Sequence, residues 1–156
     1  MMLKTVDIYT DGACSGNPGA GGYCAILIYK GAEKIISGFE QETTNNRMEL
    51  LAVIKGIKAL KEKCNVNIYS DSQYVISAFN DNWIENWQKN NWRNANKKEV
   101  KNADLWLELV SLIKMHNVNF IKVKGHADNE YNNRCDKIAV EEYKKVFDGL
   151  KNDDKQ

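Results

Sequence analysis

Val6-Asp7-Ile8-Tyr9-Thr10-Asp11 is an alternating, largely apolar run that stops at a carboxylate, just before the glycine-rich Gly12-Ala13-Cys14-Ser15-Gly16-Asn17-Pro18-Gly19. Alternation of this kind reads as a strand. In an α/β sheet, sites gather where strands end, so Asp11 stands in a place suited to chemistry. An acid there can also do no more than cap a turn. The question is whether other acids converge on it.

Outward from this stretch, Tyr23-Cys24-Ala25-Ile26-Leu27-Ile28-Tyr29 reads as a second strand and Lys34-Ile35-Ile36-Ser37-Gly38-Phe39 as a third. Lys30-Gly31 is the turn between them, and the three strands form an antiparallel meander. The glycine-rich loop carries neither G-x-G-x-x-G nor G-K-[ST], so it is not a phosphate loop. It reads as a wide turn whose backbone amides can approach a substrate. Thr43-Thr44-Asn45-Asn46 signals a helix start, with the helix running to about Lys63. Its polar stripe is narrow (Lys55, Lys58, Glu62), and at about 100° per residue Glu49 points away from that stripe into the packed side.

Val66 to Ser70 is the next strand and ends at Asp71-Ser72. Coming after a helix, it runs parallel to the first strand, which sets Asp71 beside Asp11. Gln73 to Asn80 and Asp104 to Met115 read as helices, and Val118 to Val123 as the fifth strand. A polar loop, Asp128 to Asn133, leads into a last helix with the apolar stripe Ala139, Val140, Tyr143 and Phe147. Asp136 lies near the start of that helix, facing inward. The order β-β-β-α-β-α, then α-β-α, predicts an α/β protein with a mixed five-stranded sheet flanked by helices.

At 156 residues and a net charge of +1, the chain reads as one domain over residues 1–150 with a short polar tail, 151–156. A nucleic-acid surface would have to be local rather than global. One stretch qualifies: Trp83, Trp87 and Trp92 interleave with Lys89, Arg93, Lys97, Lys98 and Lys101. No apolar run is long enough to span a bilayer, and no signal segment is present, so a cytoplasmic protein is expected. Cys14, Cys24, Cys64 and Cys135 form no C-x-x-C pair and read as free thiols. No apolar surface stripe is left over for self-association, which points to a monomer.

Each acid has an unremarkable explanation of its own. Asp71-Ser72 can cap a helix, Glu49 can close a capping box with Asn46, and Asp136 can favour a helix N-terminus. Four carboxylates at one place are different, because a like-charged pair at 4 Å costs about 4 kcal/mol at an effective dielectric of 20. Divalent cations would resolve the repulsion, and oxygen ligands select hard ions such as Mg²⁺ or Mn²⁺. Two such ions are the usual machinery of phosphodiester hydrolysis. His126, between Gly125 and Ala127, can move a proton near them. A His-rich zinc site and a G-x-S-x-G hydrolase are both unsupported.

Six blocks in order, Thr10-Asp11-Gly12, Gly16-Asn17-Pro18-Gly19, Thr43 to Leu50, Ser70 to Val75, Val123 to Ala127 and Asn132 to Asp136, resemble the signature of ribonuclease H type 1, in its free-standing bacterial form. The resemblance covers about Leu3 to Tyr143. It implies the ribonuclease H fold, with strand order 3-2-1-4-5 and strand two antiparallel to the central strand. It also implies endonucleolytic cleavage of the RNA strand of RNA–DNA hybrids by two Mg²⁺ ions, with Mn²⁺ as an alternative, leaving 5′-phosphate and 3′-hydroxyl ends. Asp11, Glu49, Asp71 and Asp136 match the metal-binding carboxylates and His126 the proton-transfer histidine. Cys14, Asn17, Asn45, Asn46 and Gln73 match minor-groove contacts, where ribose 2′-hydroxyls are exposed. Thr44 and Asn86 match a DNA-phosphate pocket, and Trp83 a residue that packs on deoxyribose. The segment with Lys89, Trp92, Arg93 and Lys101 resembles the basic handle, here diluted by Glu85, Gln88, Asn90 and Asn91, while Glu42 stands where an arginine is frequent. Rival readings are a transposase, integrase or 3′-exonuclease on the same fold, and a non-catalytic hybrid-binding module; the latter would be expected to have lost an acid.

Overall fold

The computed structural model describes residues 2–124 and 129–154, with side chains through residue 148. β1 (Lys4–Cys14), β2 (Gly19–Tyr29) and β3 (Ala32–Thr43) form the expected meander. The strands outrun their apolar cores because the glycine-rich flank still pairs, Gly12 with Tyr23 and Cys14 with Gly21. Between β2 and β3, Lys30 (φ 48°) and Gly31 (φ 82°) are both left-handed, the backbone of a two-residue hairpin turn that follows strand twist.

β4 (Cys64–Ser70) lies parallel to β1, and β5 (Asn117–Lys122) parallel to β4. The sheet order is β3-β2-β1-β4-β5, as the resemblance implies. Tyr9 pairs with Tyr69; two residues further on, Asp11 and Asp71 emerge at the same edge.

α1 (Asn45–Lys58), α2 (Gln73–Asn80) and α4 (Ala103–Ile113) share one core with the sheet, built on Ile8, Val53, Ile57, Val66, Ile68 and Trp106. Burying each such aliphatic side chain is worth roughly 1.5–3 kcal/mol. α3 (Trp83–Lys89) leans on this core through Ile84, with Trp83, Trp87 and Trp92 half-buried beside it. α5 (Glu130–Asp154) packs on β2 around Cys24, Ile26, Cys135 and Ala139. A side chain at Gly22 would run into the Ala139 carbonyl, so this crossing needs glycine. All four cysteines are free. No helix among the described residues is long and apolar enough to cross a membrane.

Three helix ends lie several residues from the sequence expectation. α1 stops at Lys58 rather than Lys63: Ala59 and Leu60 donate to Gly56 and Ile57, tightening the last turn, and β4 already begins at Cys64. α5 starts at Glu130, inside the supposed loop. The Asn129 side chain accepts from the Asn132 N–H at 2.9 Å, and the Asn129 carbonyl accepts from Asn133, so a polar stretch became a capped first turn. Its backbone also stays helical to Asp154, through most of the expected tail. On α5, Phe147 is 42% exposed whereas Glu142 is buried; its carboxylate accepts from Ser37 at 3.0 Å and from Lys145 at 2.8 Å.

At the far end of β4, the Cys64 N–H donates to His116 Nδ1 at 3.1 Å. Burial, aided by the Lys63 charge, lowers the His116 pKa below its ordinary value. A base held below its unfolded pKa contributes stability that is present above about pH 6.5 and lost as pH falls through the folded value. The stability difference between wild type and His116→Asn should therefore shrink between pH 7 and pH 5. Parallel urea curves at those pH values check this; an unchanged difference contradicts it.

Candidate active site

Gly12 is the residue that makes the site possible. A Cβ there would strike the Glu49 backbone nitrogen and the Met48 carbonyl carbon. Only glycine lets the first turns of α1 cross directly over the end of β1. That crossing buries Glu49 (4% exposed) against Asp11 (3% exposed). The Gly12 N–H donates to Asp11 Oδ1 at 2.9 Å. Asp11, Glu49 and Asp71 each offer a carboxylate oxygen, and these atoms lie within 4.8 Å of one another.

The ordinary explanations of these acids do not match the helix ends. Thr44 is the α1 N-cap and accepts from the Arg47 N–H, so Glu49 lies beyond the N3 position of a capping box. Ser72, not Asp71, caps α2 by accepting from Val75. Asp136 is the seventh residue of α5, past the first turn where the helix dipole acts. It is exposed yet lines the same cavity as the other three, and its charge adds to the rise of the Asp11 pKa. That cavity, about 400 Å³, is walled by Asp11, Gly12, Asn45, Asn46, Glu49, Asp71, Ser72, Gln73, Tyr74 and Asp136.

No lysine or arginine is among those walls. Arg47 is turned away into a two-pronged pair with Asp104, at 3.1 and 3.0 Å, and Arg134 into the same kind of pair with Glu33. Asp11 and Glu49 therefore face one another with no lysine or arginine among the described residues that line the cavity. Burial, then the Asp71 charge, push the Asp11 carboxyl up to about 8. Burial, then Asp11, raise Glu49 well above the carboxylate range. Glu49 Oε2 is buried without a hydrogen-bond partner, an arrangement that costs on the order of 1–3 kcal/mol or more. A cluster of hard oxygen donors with one lone pair unclaimed fits a divalent cation of the Mg²⁺ or Mn²⁺ kind.

Comparison with known proteins agrees with this geometry. The RNase H family pattern matches residues 3–144. A ribonuclease H of Caldanaerobacter subterraneus is 66% identical over 142 residues, covering 91% of this chain and 93% of its own length. That of Acetivibrio thermocellus is 62% identical, covering 92% and 97%.

The chain belongs to the ribonuclease H family.

Among solved structures, LC9-RNase H1, a type 1 RNase H with the type 2 active-site motif, superposes with a TM-score of 0.75 at 27% identity, over 90% of this chain and 72% of its own. LC11-RNase H1, solved in complex with an RNA/DNA hybrid, has a TM-score of 0.65 at 20% identity, over 91% and 99%; at that identity the likeness shows the fold. The family is one of nucleases, and this chain is an enzyme of that class.

The ribonuclease H blocks also set a second cavity beside the acids, about 560 Å³, lined by Asn17, Thr44, Asn45, Asn46, Lys101 and Asn102. Asn17 Oδ1 accepts from the Asn45 N–H at 2.9 Å, tying the glycine-rich loop to the start of α1. Cys14 Sγ donates to the Gly19 and Thr43 carbonyls, both at 3.4 Å, closing the base of that loop. Gln73 is exposed and hydrogen-bonds Ser77 and Lys122. Asn86 sits on the exposed face of α3, outside the lining of the Thr44 cavity. Asn102, which the sequence did not single out, lines that cavity; it is one asparagine in an asparagine-rich segment, and its left-handed backbone (φ 61°) leaves no pattern.

In the handle, Lys89 pairs with Glu85 at 3.3 Å, and the Arg93 guanidinium donates to the Lys97 carbonyl at 3.1 Å. Trp92 is left-handed (φ 61°), held by its N–H to the Trp87 carbonyl at 2.7 Å. His126 lies outside the described residues.

Proposed function

We propose that this enzyme hydrolyses the RNA strand of RNA–DNA hybrids endonucleolytically, leaving 5′-phosphate and 3′-hydroxyl ends. The observation that carries the reading is the convergence of Asp11, Glu49 and Asp71, with carboxylate oxygens within 4.8 Å of one another, inside a ribonuclease H chain. Asp11, Glu49, Asp71 and Asp136 would hold the cations. Divalent cations so placed supply Lewis-acid activation of water and charge neutralisation at the leaving oxygen.

The chain's own part is positional. β1 and β4 fix Asp11 and Asp71 on a rigid edge, and Gly12 lets α1 bring Glu49 onto them. Asp136, at the exposed rim, is open to solvent and therefore to exchange. His126 is the group assigned to carry a proton to or from that edge. Asn17, Asn45, Asn46 and Gln73, with the Cys14 backbone, are placed to read a wide minor groove whose 2′-hydroxyls distinguish RNA. The Thr44 hydroxyl, Lys101 and Asn102 line a polar recess suited to a phosphate of the DNA strand. Asn86 is the group assigned with Thr44 to that phosphate and Trp83 to a deoxyribose, while Lys89, Trp92 and Arg93 belong to the handle that follows the duplex.

The test is an end-labelled RNA–DNA hybrid with Mg²⁺ or Mn²⁺, beside RNA duplex, DNA duplex and single-stranded RNA. Cleavage confined to the RNA strand of the hybrid is expected. Equal cutting of DNA duplex, or an intact hybrid with both metals, overturns the reading.

The handle makes a separate prediction. Because Glu85 engages Lys89, one of its charges is partly neutralised within the protein. Glu85→Gln should tighten hybrid binding at low salt and steepen the log–log salt slope by up to about 0.9, the value of one phosphate contact. Fluorescence anisotropy between 50 and 200 mM NaCl checks this; an unchanged slope shows that Lys89 does not meet the duplex.

A further inference from the structure

Asn102 precedes α4 at its N-cap position, yet its side chain makes no capping bond to that helix. Asparagine at this position ordinarily satisfies the exposed N–H groups of its own helix. Here the amide is committed elsewhere. Its oxygen accepts from Arg47 Nη1 at 3.2 Å, and its nitrogen donates to the Tyr74 hydroxyl at 3.2 Å. The same hydroxyl accepts from Trp106 Nε1 at 3.0 Å and lies 3.5 Å from the Lys101 carbonyl, to which its proton points. Trp106 is fully buried, so Tyr74 answers the one donor that this core indole carries. The Tyr74 ring packs on Trp106 at 5.3 Å between centroids.

This one oxygen therefore joins three segments: α2 just after Asp71, the Lys101–Asn102 turn that ends the handle, and, through the Asn102 amide, Arg47 on the first turn of α1. Arg47 is in turn held by both oxygens of Asp104. Lys101 and Asn102 line the recess together with Asn45 and Asn46. Tyr74 itself also lines the carboxylate cavity. The two cavities share Asn45 and Asn46 as walls, and the Tyr74 hydroxyl links the far side of the recess to α2, beside the carboxylates.

We propose that Tyr74 is a positioning residue: its hydroxyl orients the Asn102 amide and the Lys101 backbone, and so holds the recess at a fixed distance from the carboxylates. The proposal rests on the reading that a hybrid spans both cavities, one strand at each. Because Ser72 and Ser70 secure the Asp71 turn independently, at 3.2 Å to the Val75 N–H and 3.0 Å to the Ser72 N–H, loss of the hydroxyl should affect capture of the substrate more than turnover.

The test is Tyr74→Phe, which keeps the ring on Trp106, assayed with a labelled hybrid beside wild type. The KM should rise five- to tenfold with kcat within twofold. Asn102→Gly, which tolerates the left-handed backbone, should give the same split, and the double variant should be no worse than either single one, since both remove the same brace. A Tyr74→Phe protein with a lowered melting temperature and a wild-type KM overturns the proposal, as does a loss confined to kcat, or KM effects that multiply in the double variant. The wild-type arm separates the two failures. No cleavage of hybrid by wild type overturns the function proposed above, whereas wild-type cleavage with an unaltered Tyr74→Phe KM overturns the brace alone.

Discussion

Asp11→Asn should lower hybrid cleavage by at least about 10³-fold while making the protein more stable. The two effects have one cause. Asp11 is buried beside Glu49 and Asp71, and its pKa stands at about 8 without a cation. A carboxyl whose folded pKa exceeds its unfolded value of about 3.9 binds its proton more tightly when folded. Stability is therefore greatest below pH 4 for this group and falls as pH rises towards 8. Asparagine keeps the shape and a carbonyl acceptor for the Gly12 N–H but carries no charge. In metal-free buffer the variant should gain about 2–4 kcal/mol at pH 8, at roughly 1.4 kcal/mol per pKa unit and allowing for repulsion left among the other acids. The advantage should shrink towards pH 4. Urea denaturation of both proteins across this range measures it. An equal or lower stability for Asp11→Asn at pH 8 contradicts the repulsion; near-normal cleavage contradicts the role of Asp11.

Gly12→Ala should destabilise the protein by about 3 kcal/mol or more, the upper range for overpacking a tight contact. Its methyl group would meet α1 backbone at Met48 and Glu49, and backbone cannot rotate aside as a side chain can. The helix has to move off β1, carrying Glu49 away from Asp11. A displacement near 1 Å at a reacting centre costs about 10²-fold in rate, so cleavage should fall by that order even at temperatures where the variant is fully folded. Circular dichroism melts with cleavage assays well below the transition test both parts. Wild-type activity in a folded Gly12→Ala protein would show that the close crossing is not needed.

These two neighbours also show what was legible in the sequence. The alternation through Asp11, the strand ending at Asp71 and the apolar surround of Glu49 are local patterns, and local patterns determine strand ends and helix faces. The sheet order and parallel pairing followed from them together with the family blocks. Gly12 read as part of a wide turn and of one family block, without a reason for glycine, because its necessity lies in a contact with residues 36 and 37 positions later. Asp136 reaches the acid cavity as expected, but Asn129 caps the last helix earlier than its apolar stripe begins, so Asp136 lies in the second turn. Glu142 and Asn102 were invisible because their partners, Ser37 and Tyr74, are distant in sequence. The tryptophans of the handle read as part of a nucleic-acid surface, and the structure shows them half-buried against the core, so packing is one of their duties.

The most direct test of the central claim, that these acids are gathered to hold divalent cations, is the melting temperature against Mn²⁺ or Mg²⁺ concentration at pH 8, for wild type and Asp11→Asn. A ligand that binds only the folded state stabilises it by RT ln(1 + [L]/Kd). Wild type should melt progressively higher as the cation is added, closing much of its gap to Asp11→Asn, while the variant responds little. A parallel rise in both proteins, or none in wild type, would contradict the claim.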